Sequence, residues 1–239
     1  YKYCKKKNIG FLCAAFDEES VEFISRKLKC KTVKSPSSEI NNFPLLKLMA
    51  KEFKSIIIST GASNLNDCLK AKKNILQQKK KMDLLFMHCV SEYPSPIEHA
   101  NLNAITSMIK KLRVPIGLSD HTSGIIAPIL SIQKGCVLIE KHFTLDKKMK
   151  GPDHKASLEP KELKELAYLL KFYKEIMGTG KKKIQLSELK NKNLIRKSAV
   201  CSQKYIEKGT VITDEHITFK RPFVEYSFGP NNYLKILGK

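Results

Sequence analysis

Two histidine-bearing runs hold the densest chemistry in the sequence. Ile116-Gly117-Leu118-Ser119-Asp120-His121-Thr122 and Val137-Leu138-Ile139-Glu140-Lys141-His142-Phe143-Thr144 each pass from an apolar, β-rich run into a polar cluster with one His. Strands buried on both faces read as short apolar runs, and functional side chains of parallel α/β proteins gather where such strands end. The pattern therefore predicts that His121 and His142 meet on one rim. Their separation of 21 residues suits neighbouring parallel strands, where two neutral imidazoles can share one divalent cation. Two ligands alone do not define a metal site, and a satisfied polar histidine at each strand end is the alternative.

Other polar clusters close other predicted strands: Lys34 with Ser37 and Glu39, Ser59 with Thr60, Ser91 with Tyr93, and Asp153 in a later loop. One lysine among hydroxyls and backbone N–H groups suits a phosphate or carboxylate, since the lysine supplies charge and the donors fix orientation. Lys34 could equally lie along a sheet edge. Glu39 fits three roles: a base, an acceptor for a sugar hydroxyl, or a charge at a helix N-terminus, which its position favours. Glu140 and Lys141 are expected to pair with each other. Together these residues describe a metal-assisted enzyme acting on a small anionic substrate.

The elements that position them alternate regularly. Strands are predicted over 9–16, 32–35, 55–61, 83–90, 116–122 and 137–144, with helices over 17–28, 44–53, 64–77, 101–112 and 124–133 between them. Such βα alternation predicts a parallel sheet, either a barrel or an open doubly wound sheet. No Gly-rich dinucleotide or phosphate-loop signature follows the first strand, and polar residues end every strand, which favours the barrel. Pro160 opens a helix whose apolar positions Leu163, Leu166, Ala167, Leu170, Tyr173 and Ile176 predict an inward face. The expected organisation is a barrel-type domain over 1–178, a linker over 179–196 beginning in Gly178-Thr179-Gly180, and a small, mostly-β domain over 197–239.

Composition narrows the class. Lys+Arg number 44 against 23 Asp+Glu, a net charge of +21 over 239 residues. The lysines are scattered or in short runs such as Lys181-Lys182-Lys183, without aromatic interleaving or a nucleic-acid module. A solvated basic surface is the expectation, with no nucleic-acid or membrane partner; a basic anion-binding module is the rival. Seven cysteines, odd in number and widely spaced, show neither a disulfide framework nor a CxxC site, and predict a reducing, cytoplasmic setting.

The motifs together resemble the sialic acid synthase family. The matching blocks are Phe16-Asp17-Glu18-Glu19-Ser20-Val21, Lys34-x-x-Ser37-x-Glu39-x-x-x-x-Pro44-Leu45, Ser59-Thr60-Gly61 and His88-Cys89-Val90-Ser91-Glu92-Tyr93-Pro94-x-Pro96. Further along come Gly117-Leu118-Ser119-Asp120-His121-Thr122, Ile139-Glu140-Lys141-His142-Phe143-Thr144-Leu145-Asp146, Gly151-Pro152-Asp153-His154 and Lys220-Arg221-Pro222. The resemblance implies a (β/α)8 TIM barrel, here without its first two βα units, followed by a small antifreeze-like (SAF) domain in a domain-swapped homodimer. It implies condensation of phosphoenolpyruvate with an N-acylated amino sugar, N-acetylmannosamine in the N-acetylneuraminate branch, to a nine-carbon 2-keto acid with release of phosphate. Legionaminic and pseudaminic acid synthases and the version using a 6-phosphorylated sugar are the close alternatives, and Gly151-Pro152-Asp153-His154 and the match of Lys190 to Ser198 lean towards the N-acetylneuraminate branch.

By the same resemblance His121 and His142 hold a divalent ion, Mn2+ or Mg2+, and act in catalysis with Glu39. Lys34, Ser37, Ser91 and Ser119 match phosphoenolpyruvate contacts, Glu39, Tyr93 and Asp153 match sugar contacts, and Arg221 matches an arginine reaching the N-acyl group from the partner's small domain. The sequence departs from the family at Ala14-Ala15, where a Thr-Pro pair is expected, and at Phe223-Val224-Glu225-Tyr226, where a Gly-rich turn is expected. With those departures, the chain is expected to be a fragment or a degenerate copy. It would keep the metal-binding half of the site and have little synthase activity alone; a non-catalytic oligomerisation partner is the third reading.

Overall fold

The computed structural model describes residues 1–195, 199–221 and 228–239, and two compact units, Tyr1–Ile176 and Met177–Lys239. In the first, β1 (Thr32–Ser35), β2 (Ser55–Ser59), β3 (Asp83–Cys89), β4 (Ile116–Asp120) and β5 (Ile139–Lys141) form one sheet. All neighbours pair in parallel and the spatial order is β1-β2-β3-β4-β5. A doubly wound sheet reverses its order at a switch point. This one runs in chain order from edge to edge, with helices Phe43–Glu52, Leu65–Gln78, Asn103–Leu112 and Ile126–Gln133 in its crossovers.

Local chemistry sets the crossovers. Asn64 caps Leu65–Gln78 by accepting from Asn66 N at 2.8 Å and Asp67 N at 3.2 Å, while the Asp67 carboxylate accepts from Asn64 N at 3.1 Å. This reciprocal box satisfies donors that the first helical turn leaves free. Two lysines do structural work that composition alone assigned to the solvated surface. Lys72 Nζ donates to Leu112 O at 2.5 Å and Lys79 Nζ to Phe53 O at 2.8 Å, satisfying carbonyls where other elements end. One face of the sheet and the helices form a core that includes Leu46, Met49, Ile56, Ile58, Ile75, Phe86, Ile105 and Leu112, all fully buried. Between β4 and β5 the backbones approach so closely that a Cβ on Gly117 would lie 2.8 Å from Leu138 O.

Several expected elements differ. The apolar run 9–16 makes one bridge, Ala14 to Lys34, and leaves Ile9 and Leu12 exposed. Hydrophobicity without a full ladder partner does not hold a strand. Residues 137–144 were expected to be buried on both faces. Only Ile139–Lys141 is strand, and Val137 and Phe143 are exposed because β5 is an outer strand of the sheet. Of the apolar positions of Pro160–Met177, Leu166 alone is buried, although the helix itself forms. The helix from Glu18 continues after Glu22 as a π-turn over Phe23–Lys27.

The second unit contains one-turn helices Leu186–Leu189 and Lys192–Ile195 and an antiparallel pair, Ala199–Ser202 with Ile217–Lys220. Ala199 is its one buried apolar residue among those described, as expected for a segment too small to build its own core. Ser198, Pro222 and Phe223–Tyr226 lie outside the described residues. No described helix is long and apolar enough to cross a membrane.

Phe86 sits in the central strand with no exposed surface. Phe86→Ala should lower unfolding free energy by about 3–5 kcal/mol, read from urea denaturation of the two proteins side by side.

Candidate active site

Successive strand residues point to opposite faces of a sheet. The register pairs Ser119 with Glu140 and Asp120 with Lys141, so Ser119 and Glu140 share one face and Asp120 and Lys141 the other. Two residues on, His121 and His142 return to the first face. Ser119, His121, Glu140 and His142 accordingly line one cavity of about 340 Å3, whose wall also includes Lys34, Ser37, Ser59, Cys89, Ser91 and Tyr93.

Lys34 Nζ lies 2.5 Å from Glu140 Oε1. These residues sit on β1 and β5, four strand spacings apart in the sheet order. At about 4.8 Å per spacing a flat sheet would hold their backbones roughly 19 Å apart, beyond the joint reach of the two side chains. The sheet is therefore curled, with its first and last strands facing across the cavity. Ser119 Oγ donates to the same Glu140 oxygen at 2.7 Å. Burial pushes the Glu140 pKa up, but the hydrogen bonds and charge of Lys34 and Ser119 outweigh it, and the carboxyl stays below its ordinary range. The expected pairing of Glu140 with Lys141 is not formed. Consecutive residues face opposite ways, and Lys141 Nζ instead meets Asp120 Oδ2 at 2.6 Å on the far face.

The imidazoles of His121 and His142 stand 5.2 Å apart between ring centroids, and the Tyr93 ring packs against them at 4.1 Å and 5.4 Å. His121 Nδ1 is 2.6 Å from Val90 O; a carbonyl only accepts, so Nδ1 carries the proton and Nε2 keeps its lone pair. Burial, opposed by that hydrogen bond, lowers the His121 pKa and favours the neutral ring a cation needs. His142 Nδ1 lies 3.5 Å from Asp153 Oδ2, longer than a hydrogen bond but close enough for a carboxylate to face the ring. Among the described residues no three His, Cys, Asp or Glu side chains form a metal cluster. The donor set fits a cation held by two imidazoles, with its other positions left to oxygens from elsewhere.

The hydroxyl side is tightly built. Ser37 Oγ accepts from Gly61 N at 2.9 Å, and a Cβ on Gly61 would lie 2.0 Å from Ser91 Oγ, so only glycine lets the two serines approach this turn. Ser59 is buried in the wall and its Oγ has no hydrogen-bond partner. A buried hydroxyl left so costs about 1–3 kcal/mol, which marks a place for a polar ligand atom.

Most residues singled out from sequence meet here. Glu39 does not: it lies in the turn Ser37–Glu39, off the cavity wall, and accepts from Asn42 Nδ2 at 2.8 Å. Asn42 in turn caps Phe43–Glu52, so Glu39 supports a helix start. Asp153 reaches the cavity only through His142. Arg221 belongs to the second unit, where its Nη1 donates to Ile195 O at 2.6 Å. Sequence reasoning placed Ser59 among the strand-end hydroxyls, gave Glu140 only a pairing with Lys141, and gave no cavity role to Cys89. Counting back by twos from His142 finds Glu140. Cys89 follows from its place at the end of a strand level with Ser119.

Residues 1–182 match the NeuB family. The chain is 44% identical over 239 residues to the N,N'-diacetyllegionaminic acid synthase of Campylobacter jejuni, covering 99% of this chain and 70% of that protein. It is 32% identical over 241 residues to the human N-acetylneuraminate-9-phosphate synthase, covering 100% of this chain and 65% of the other. The crystal structure of an N-acetylneuraminic acid synthetase from Leptospira borgpetersenii in complex with citrate superposes with a TM-score of 0.71 at 34% identity. That match covers 80% of this chain and 66% of that one. The chain thus spans about two thirds of the length of these relatives.

Because Lys34 holds the Glu140 carboxyl low, Lys34→Met should raise its pKa, measurable by 13C NMR titration of labelled glutamate. A depressed carboxyl contributes stability that is complete above its unfolded pKa and lost as pH falls through its folded value. The variant should therefore lose less stability than the parent across that acid window.

Proposed function

The chain belongs to the NeuB family, and we propose that it acts in the condensation of phosphoenolpyruvate with an N-acylated amino sugar to give an acidic 2-keto sugar. The observation that carries this reading is one cavity lined by two imidazoles with a free nitrogen and by a lysine set among serine hydroxyls. In this reaction a bond forms between C3 of phosphoenolpyruvate and the aldehyde carbon of the sugar, water adds at C2, and phosphate leaves. In this reading the curled sheet is part of a (β/α)8 barrel, residues 197–239 are part of an antifreeze-like domain, and two chains pair as a swapped homodimer. Seven free thiols suit a reducing compartment such as the cytoplasm.

His121 and His142 would hold Mn2+ or Mg2+. When bound, the ion supplies Lewis acidity to a carbonyl oxygen. The remaining chemistry belongs to this chain's own side chains. Lys34 supplies positive charge for a carboxylate or phosphate, and Ser37, Ser59, Ser91 and Ser119 supply hydroxyls that fix its orientation. Glu140, ionised and already holding Lys34 and Ser119, keeps both donors in place. Tyr93 covers the imidazole pair and shields the reacting carbons from water. The net charge of +21 speeds the arrival of an anionic substrate.

A second reading concerns the sugar. The 44% identity to a synthase whose product carries two acetyl groups, against 32% to one whose product carries one, favours a hexose with two acetamido groups over N-acetylmannosamine. The test supplies phosphoenolpyruvate and Mn2+ with each sugar in turn and measures phosphate release and keto acid. Condensation with neither sugar, together with no Mn2+ binding by calorimetry, would remove the proposal. His121→Ala and His142→Ala should each weaken Mn2+ binding by at least about tenfold.

A further inference from the structure

We propose that the buried pair Asp120–Lys141, on the face of the sheet away from the cavity, is a positioning device that fixes the spacing of the His121 and His142 rings. The inference rests on the metal reading above for its chemical consequence, not for its geometry. Asp120 and Lys141 are the last paired residues of β4 and β5, and each is followed at once by a cavity histidine. Beyond them no ladder hydrogen bond ties the two rings together.

The pair closes over His121. Lys141 Nζ meets Asp120 Oδ2 at 2.6 Å and also donates to Thr122 O, the carbonyl on the other side of His121. Asp120 accepts from Thr122 N at 3.0 Å through Oδ1 and from Thr122 Oγ1 at 3.1 Å through Oδ2. The backbone on both sides of His121 is thereby tied to one side-chain cluster, and that cluster is anchored on the residue before His142. The backbone of each histidine is otherwise tied to a different segment: His121 O accepts from Ser95 N at 2.9 Å and His142 O from Leu158 N at 2.8 Å, so the Asp120–Lys141 pair is the link between the two strand ends themselves.

Energetics point the same way. The two side chains are 4% and 3% exposed. A buried ion pair is weak evidence for stability, because desolvation offsets its attraction and a well-packed apolar pair of the same volume often does as well. Directional bonds, four of them meeting on residues 120–122, do what an apolar pair cannot: they fix angle as well as distance.

The experiment compares the parent chain with K141M and with D120N/K141M, the latter leaving no unpaired buried charge. Two readouts are taken on each: long-range 1H–15N spectra of the imidazole nitrogens in metal-free protein, and Mn2+ affinity by calorimetry. The inference expects both variants to unfold cooperatively, D120N/K141M near the parent's Tm and K141M, which strands a buried carboxylate, below it. His121 and His142 nitrogen signals should shift or broaden away from a single tautomer, and Mn2+ affinity should fall at least tenfold. Folded variants with unchanged imidazole spectra and Mn2+ affinity within twofold of the parent would overturn it. So would loss of cooperative unfolding in both variants, which assigns the pair a structural role. If the parent binds no Mn2+ the metal reading falls alone, and the imidazole spectra decide the positioning.

Discussion

A single contact defines the shape of the site: Lys34 Nζ against Glu140 Oε1 at 2.5 Å, made between the outer strands of a five-stranded sheet. The inherent twist of parallel strands tends to coil a sheet, and here a charged bond spans its concave face. The pair is only partly sheltered, with side chains 17% and 33% exposed, so its attraction is not cancelled by the full desolvation that a deep pair suffers. Residues more than a hundred positions apart in the chain thus share one cavity, and the serines and histidines of the strands between them are carried into it.

The two faces of the sheet divide the work. Facing the helices, Ile56, Ile58 and Phe86 are buried among apolar neighbours and hold the unit together. Facing the cavity, β2 to β5 present Ser59, Cys89, Ser119 and Glu140. Because alternation is enforced by the pleat, neither face can change without a shift of register that would exchange them. Stability and chemistry are therefore coupled through backbone geometry, although they draw on different residues.

Much of this was legible in the sequence. Strand and helix alternation, the β2 to β4 runs and the crossover helices are recovered within a few residues, since their apolar periods are strong and their caps are local. What failed, failed at places where tertiary partners decide. The run 9–16 is apolar enough for a strand yet has one bridge, and 137–144 shrinks to three strand residues where the sheet ends. Lys34 as the central cation was readable from its place at a strand end; its partner Glu140 was not, because adjacency in sequence pointed to Lys141 and only curvature brings β1 to β5. Glu39 shows two readings side by side: a motif match suggested chemistry, its position suggested a helix start, and its carboxylate accepts from Asn42 at that start.

The hydrogen-bond capacity left over in the cavity sorts it into two sides. Ser37 Oγ already accepts from Gly61 N, so its hydroxyl proton is what it can still offer strongly, its bond to Cys89 Sγ being a long 3.9 Å. Lys34 spends one N–H on Glu140 and keeps two, and Ser59 Oγ is unspent. These groups can give protons and suit an anion. His121 has committed Nδ1 to Val90 O and keeps a lone pair on Nε2, while the neutral His142 ring, its Nδ1 3.5 Å from Asp153 Oδ2, keeps one on whichever nitrogen is unprotonated. These nitrogens can give electrons and suit a cation. An anion and a cation bound a few ångströms apart attract each other and lower the local cost of holding either, so a cavity sorted this way favours a ligand pair over either partner alone.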